Sequence, residues 1–198
     1  MKTLTACFLA LFLVLPVFTS AQTVPTTQLF LKLEGLEGES VQPGHLKEID
    51  ALSFSFGTGQ TGLTMAGGTA SPAKAQFSPL QVIKRPDKAS PMLFLNCAIG
   101  KVIPTARITF RRTNSGDPQD FFILDLTNVL ISSYQVSGAE DDPLTESIGL
   151  SYLAIKVTFR PTQNGQLGPP ISTSFNVVRN KPGDETTAGS SISGKNEP

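Results

Sequence analysis

Residues 29–56 read LFLKLE (29–34), then GLEGESVQPGHLKEID (35–50), then ALSFSF (51–56). In the first run Leu29, Leu31 and Leu33 alternate with Phe30, Lys32 and Glu34, the two-residue period of a strand with one buried face. In the last, Leu52, Phe54 and Phe56 alternate with Ser53 and Ser55 and predict a second strand. The segment between them carries three glycines, one proline and several charges without a period, so it is expected to be a long extended loop. Two half-buried strands flanking such a loop point to a mainly β fold.

The rest of the chain agrees. At 198 residues it fits one domain, and its 17 Gly and 15 Pro favour strands joined by many turns. Residues 57–75, rich in Gly, Thr, Ala and Ser, read as an irregular connection, and Phe77–Lys84 as a strand. Further strands are expected around Ile108 and Phe110, over Phe121–Leu126, Val129–Val136, Leu150–Phe159 and Ser174–Val178. Near 150–160, Leu153, Ile155, Val157 and Phe159 are assigned to one face and Tyr152, Lys156, Thr158 and Arg160 to the other. One short helix is expected at about 91–99. Ser90 is its expected N-cap, Pro91 its first residue and Gly100 its left-handed terminator, with an apolar composition that predicts burial.

The two ends read differently from the middle. Met1-Lys2, the apolar run Leu9–Val17 and Thr19-Ser20-Ala21 have the pattern of a signal peptide cleaved after Ala21. That apolar run is short of the roughly 20 residues a membrane span needs. Residues 1–21 are therefore expected to be removed and the protein exported, to the periplasm or the medium, with no membrane attachment afterwards. Residues 180–198 hold one large aliphatic side chain, Ile192, and are expected to be a disordered tail, leaving 22–179 as the domain.

Charge and motifs exclude more than they suggest. Sixteen basic against sixteen acidic residues leave no basic excess for nucleic acid. Cys97 is the single cysteine of the processed chain, so no intrachain disulfide is available, and its apolar run predicts a buried thiol. Gly57-Thr58-Gly59-Gln60-Thr61-Gly62 matches G-x-G-x-x-G, but the next residues, LTMAGGTASPAK, do not open a helix, and no acidic residue occurs between Asp50 and Asp87. A turn between strands explains it better than a dinucleotide site. His45 is the one histidine; with no G-x-S-x-G motif it makes no catalytic triad, and one His with one Cys makes no zinc site. It is expected to hydrogen-bond locally in its loop. Glu34, Glu37, Glu39, Glu48 and Asp50 have no EF-hand spacing and read as a solvated acidic loop. Lys84, Arg85 and Lys88 read as a small basic patch offset by Asp87. No catalytic residue, cofactor or metal site is predicted.

A series of collinear segments adds a more specific reading. The run 29–40, then Gly44-His45, Glu48-Ile49 and 52–57, closely resembles the opening of the haemolysin-coregulated protein (Hcp) family of type VI secretion systems. Lys84 with 87–93, 97–100, Ala106-Arg107-Ile108, 129–134 and the stretch from Glu146 to Phe159 continue the match over about 28–178. The resemblance implies a compact β-barrel of two packed antiparallel sheets beside the single helix. It also implies hexameric rings that stack into a tube, a structural and conduit-like role without catalysis, and effector cargo or secretion-system components as partners. The 35–50 loop, with His45, Glu48 and Ile49, is expected among the subunit or ring-stacking contacts. The signal-like N-terminus is a departure from the family, whose tube proteins leave through the secretion apparatus itself. It keeps open the alternative of a free-standing secreted or periplasmic Hcp-like binding module.

Overall fold

The structure is a computed structural model that describes residues 26–60, 62–66, 69–113, 117–163 and 165–183. The expected signal peptide lies outside these residues, as do positions 184–198 of the expected tail. In chain order the strands are β1 (Thr26–Leu33), β2 (Ile49–Ser55), β3 (Thr58–Gln60), β4 (Leu63–Ala66), β5 (Thr69–Pro72), β6 (Ala75–Phe77) and β7 (Leu80–Lys84). Helix α1 (Ser90–Ala98) is next. After it come β8 (Val102–Thr113), β9 (Gln119–Ser137), β10 (Thr145–Phe159), β11 (Thr162–Gln163), β12 (Gln166–Leu167), β13 (Ile171–Asn176) and β14 (Lys181–Pro182).

Six strands close a barrel in the order β10-β7-β2-β1-β8-β9, sealed by the pairing of β9 back onto β10. Every pairing around the ring is antiparallel. The two packed sheets are the opposing halves of this one cylinder. β10 is long enough to pair with β7 through Glu146–Leu150 and with β13 through Ala154–Phe159, which hangs β13 and β14 on the barrel as an extension. Inside, Leu31, Leu33, Ile49, Leu80, Val82, Ile108, Leu124, Ile131, Ile148 and Leu150 form a core with almost no exposure. Burial at roughly 25 cal/mol per Å² of apolar surface is the dominant force holding these strands together.

Strict alternation fails at one level of the wall, and there the face assignment for 150–160 needs correction. Buried positions run Leu124 and Leu126, then Val129 and Ile131 in β9. In β10 they run Ile148, Leu150 and Tyr152, then Ile155, and in β8 Ile103, then Ala106 and Ile108. Each strand takes one odd step. The registers Ile103↔Val129 and Thr105↔Thr127, with Tyr152↔Val129 and Ala154↔Thr127, place all three steps side by side. Asn128, at φ 50°, supplies the left-handed residue at the bend, where asparagine is tolerated. Tyr152 therefore points inward, while Leu153 and Phe159 are exposed. The two strands expected over 121–126 and 129–136 are one bent strand, β9.

A second correction is Leu52. A bulge between Ala51 and Ser53 inserts it without a partner on β7, turning it to solvent while Phe54 and Phe56 pack on the core. The expected irregular connection 57–75 contains hairpin pairings, β3 with β6 and β4 with β5, so the described part of the glycine motif sits in strands and turns. At the C-terminal side, Lys181–Pro182 pair with Phe175–Asn176, so the described chain stays attached to the sheet through residue 182.

Helix α1 starts at Ser90 with Pro91 in its first turn. The expected Ser90 cap is absent: the N-cap position is Ala89, and the Ser90 hydroxyl instead accepts the Asp87 N–H at 3.0 Å. The Asp87 carboxylate takes the Ala89 N–H at 3.0 Å, supplying from just upstream the acceptor expected of the serine. The C-terminus is as expected. Gly100 at φ 65° lets its own N–H reach Cys97 and the Lys101 N–H reach Asn96, a Schellman closure. The helix is not largely buried, because only Leu93 and Asn96 are inside; Met92, Phe94, Leu95 and Ile99 are exposed. Cys97 is half-buried against the core rather than enclosed.

Candidate functional site

Phe30 explains why the long loop is not a free excursion. It lies between Leu29 and Leu31 on β1 and so points outward, yet it is only 1% exposed. The loop covers it: the His45 ring stacks on Phe30 with centroids 4.1 Å apart and planes 5° from parallel, and Arg111 lies over the same ring. The loop is tied internally by backbone bonds from Gly38 to Lys47, Ser40 to Glu48 and Lys47 to Ser40. Gly38 has to be glycine, since a Cβ there would sit 2.3 Å from the Glu48 carbonyl oxygen.

Beneath the loop lies a polar cluster in which His45, Glu48 and Arg111 are buried and Asp120 is half-buried. His45 Nδ1 is 2.7 Å from Glu48 Oε2, and Nε2 is 3.2 Å from both carboxylate oxygens of Asp120. Arg111 donates from Nε to Asp120 Oδ1 at 2.6 Å and from Nη2 to Oδ2 at 3.2 Å, while Nη1 donates to the Pro43 carbonyl at 2.6 Å. Burial opposes the charge on Asp120, but the bonds from Arg111 and His45 outweigh it and hold that carboxyl below its ordinary value. His45 does bond locally, as expected, and also reaches 75 residues along the chain to Asp120. Glu48 is the correction in this region: it is buried, not part of a solvated acidic loop.

The three residues expected at subunit contacts, His45, Glu48 and Ile49, all lie inside the subunit. The large apolar side chains that the loop presents outward are Val41, at 79% exposure, and Leu46, at 65%. The sequence pattern does not separate these two from their neighbours, because the loop has no period that marks an inner and an outer face. Nor does anything local mark Arg111 and Asp120 as partners of His45.

A second buried cluster joins α1 to the barrel. Lys84 is fully buried; its ammonium meets Glu146 at 2.7 Å and donates to Asp87 at 2.8 Å, the Arg85 carbonyl at 2.9 Å and the Ser90 hydroxyl at 3.0 Å. The basic patch expected at Lys84 is thus an interior ion pair. Ser90 donates to Glu146 at 2.9 Å and Tyr134 does so at 2.8 Å. Burial works against the Glu146 charge, and the bonds from Lys84, Ser90 and Tyr134 overcome it, placing that carboxyl below its ordinary value. Burial, then the Glu146 carboxylate, pushes the Tyr134 hydroxyl up to about 12.

Ser90 beside Lys84 has the composition of a serine–lysine nucleophile, but not its chemistry. The lysine ammonium is occupied by two carboxylates, and the serine hydroxyl is already committed to Glu146. A surface hollow of about 560 Å³ beside the loop, lined by Phe30, Gln42, Asp50, Phe54 and Phe110 among others, has Asp50 as its only titratable side chain. Among the described residues no three His, Cys, Asp or Glu side chains are placed to hold a metal ion. No helix among them is long and apolar enough to cross a membrane.

Comparison with known proteins agrees with this architecture. Residues 30–159 match the family described as "Type VI secretion system effector, Hcp". The chain is 31% identical over 155 residues to "Protein hcp1" of Pseudomonas aeruginosa, covering 77% of this chain and 96% of that protein. The crystal structure of Hcp1 from Salmonella typhimurium aligns with a TM-score of 0.67 at 30% identity, over 79% of this chain and 98% of that one. A second structure, titled "Structure of a type six secretion system protein", aligns at 0.72 with 34% identity, over 80% and 100%. A six-stranded closed barrel with one short helix, matched over most of its length to these proteins, belongs to the Hcp family of type VI secretion proteins.

Proposed function

We propose that this protein is a structural subunit that assembles into hexameric rings able to stack as a type VI secretion tube and carry effectors, without catalysing a reaction. The observation that carries the reading is the family match over 30–159, in a chain that spans 96% of its curated relative. The described surface suits a ring. Cyclic assembly joins two different patches of each subunit, and exposed apolar side chains occur in separate places: Phe94 and Leu95 on α1 with Ile99 just after it, Leu52 and Ile83 on β2 and β7, and Val41 and Leu46 on the loop.

The loop acts in subunit or ring-stacking contacts through Val41 and Leu46, and His45, Glu48 and Ile49 hold its shape from within. The signal-like residues 1–21 favour a second reading, a free-standing exported binding module with the same barrel. Native mass separates the two. For residues 22–198 a protomer is about 19 kDa and a hexamer about 113 kDa, scaled from 21.1 kDa for the whole chain. A stable species at the larger mass supports the ring, and a monomer persisting at high concentration refutes it. Val41→Asp with Leu46→Asp should weaken assembly while leaving the far-ultraviolet circular dichroism of the subunit unchanged; unaltered assembly removes the loop from the contact.

A further inference from the structure

We propose that the second ring proton of His45 is a latch fastening the 36–48 loop to the barrel: the loop is held when the ring is an imidazolium and loosened when rising pH removes that proton. The argument starts from donor counting. A carboxylate only accepts hydrogen bonds, and a neutral imidazole offers one donor and one acceptor. His45 faces a carboxylate at both nitrogens, Glu48 at 2.7 Å and Asp120 at 3.2 Å. Only the doubly protonated ring satisfies both.

Charge balance gives the same result. The groups facing the ring are Glu48 from the loop, Asp120 from β9, Arg111 from β8 and the uncharged Phe30 face from β1. Arg107, also on β8, acts on Glu48 from farther away and is itself bonded to Asp125 at 2.6 Å. With an imidazolium the inner cluster has two positive and two negative charges; with a neutral ring it carries one uncompensated negative charge among side chains of which Asp120 alone, at 32% exposure, meets solvent appreciably.

The geometry also fixes which contact fails. The Glu48 bond is the shorter and joins residues three apart, so the remaining proton stays on Nδ1. Nε2 then turns a lone pair toward Asp120, and the ring's polar link from loop to wall is lost. The Phe30 stack and the Arg111–Pro43 bond persist. The loop therefore loosens in place instead of leaving the surface. This holds for a single subunit and does not depend on ring assembly.

The chain has one histidine, so its ring nitrogens are assigned in an NMR spectrum without ambiguity. The experiment titrates the full processed chain from pH 5 to 10, following the His45 ring and the hydrogen-exchange protection of the Gly38, Ser40 and Lys47 amides, each corrected for intrinsic exchange at the same pH. Both ring nitrogens should be protonated at the low end. As the ring loses a proton, loop protection should fall about tenfold or more, the scale of one charged hydrogen bond. Its midpoint should coincide with that of the ring, while protection at Ile148 and Ile155 in the core stays level. Asp120→Asn should remove the pH dependence of the loop. Loop protection that stays flat while His45 titrates overturns the proposal, as does a ring that keeps one state throughout, or a fall shared equally by the core. If Asp120→Asn does not fold, the wild-type titration decides alone.

Discussion

Replacing Lys84 by methionine keeps most of the side-chain length and removes the charge, which makes it the sharpest test of the buried cluster under α1. The ammonium is fully buried and surrounded by four acceptors, two of them carboxylates at 2.7 and 2.8 Å. Without it, Glu146 retains its bonds from Tyr134 and Ser90 but loses its counter-charge. Removing one partner of a buried pair costs about 3–5 kcal/mol, because the other charge is left behind. A lysine in an exposed basic patch would change stability by no more than about 0.5 kcal/mol, so the two situations are well separated. In urea, with an m-value of about 2 kcal/mol per M, the midpoint should drop by about 1.5–2.5 M. Adding Glu146→Leu removes the orphaned charge, so the double variant should be much more stable than the sum of the two single losses. The deficit of Lys84→Met should also shrink as pH falls and Glu146 takes up a proton. A loss under about 1 kcal/mol, or two single losses that simply add, would refute the reasoning.

Three other outcomes are expected from the same structure. Gly38→Ala forces a methyl group to within 2.3 Å of the Glu48 carbonyl, and should cost about 1–3 kcal/mol in a denaturation midpoint. Asp120 and Glu146 both titrate below their ordinary values in the folded state, so the stability they contribute is present above the unfolded carboxylate range. It should be lost as pH falls through their folded-state titrations, read as a thermal midpoint lower at pH 3 than at pH 7. Both tyrosines are shifted upward, Tyr134 to about 12 and Tyr152 by burial, and the chain has no tryptophan. At pH 10.5 the folded protein should show less than half the tyrosinate absorbance of the same chain in denaturant.

Reading the chain from its residues located most of the wall because a half-buried strand writes its face into every second position. Leu29, Leu31 and Leu33 are an example, and each is buried. That reading failed where the backbone changes phase. Nothing in Leu52 or Leu153 distinguishes a bulge or a bend from regular alternation; the partner strand decides, and the partner is remote in sequence. The helix failed in another way. Its start and stop were marked by Pro91 and Gly100, but an apolar composition does not say how much of it the barrel covers. The loop was legible in extent and in its histidine, whereas its attachment depends on Arg111 and Asp120 arriving from β8 and β9. Such a meeting is a property of the closed barrel and leaves no trace in a local pattern.

The order in which the six strands close constrains when the chain can fold. β8, β9 and β10 form a meander of neighbours between residues 102 and 159, with short connections and therefore little loop entropy to overcome. The β1–β2 hairpin sits elsewhere in the ring, wedged between β8 and β7, and β7 reaches the ring's other side only through β10. A ribosome must therefore release β10, which ends at Phe159, before β7 has its second neighbour and the ring can close. Until then β7, paired only with β2, keeps one open edge, and the barrel cannot be completed before β10 is available.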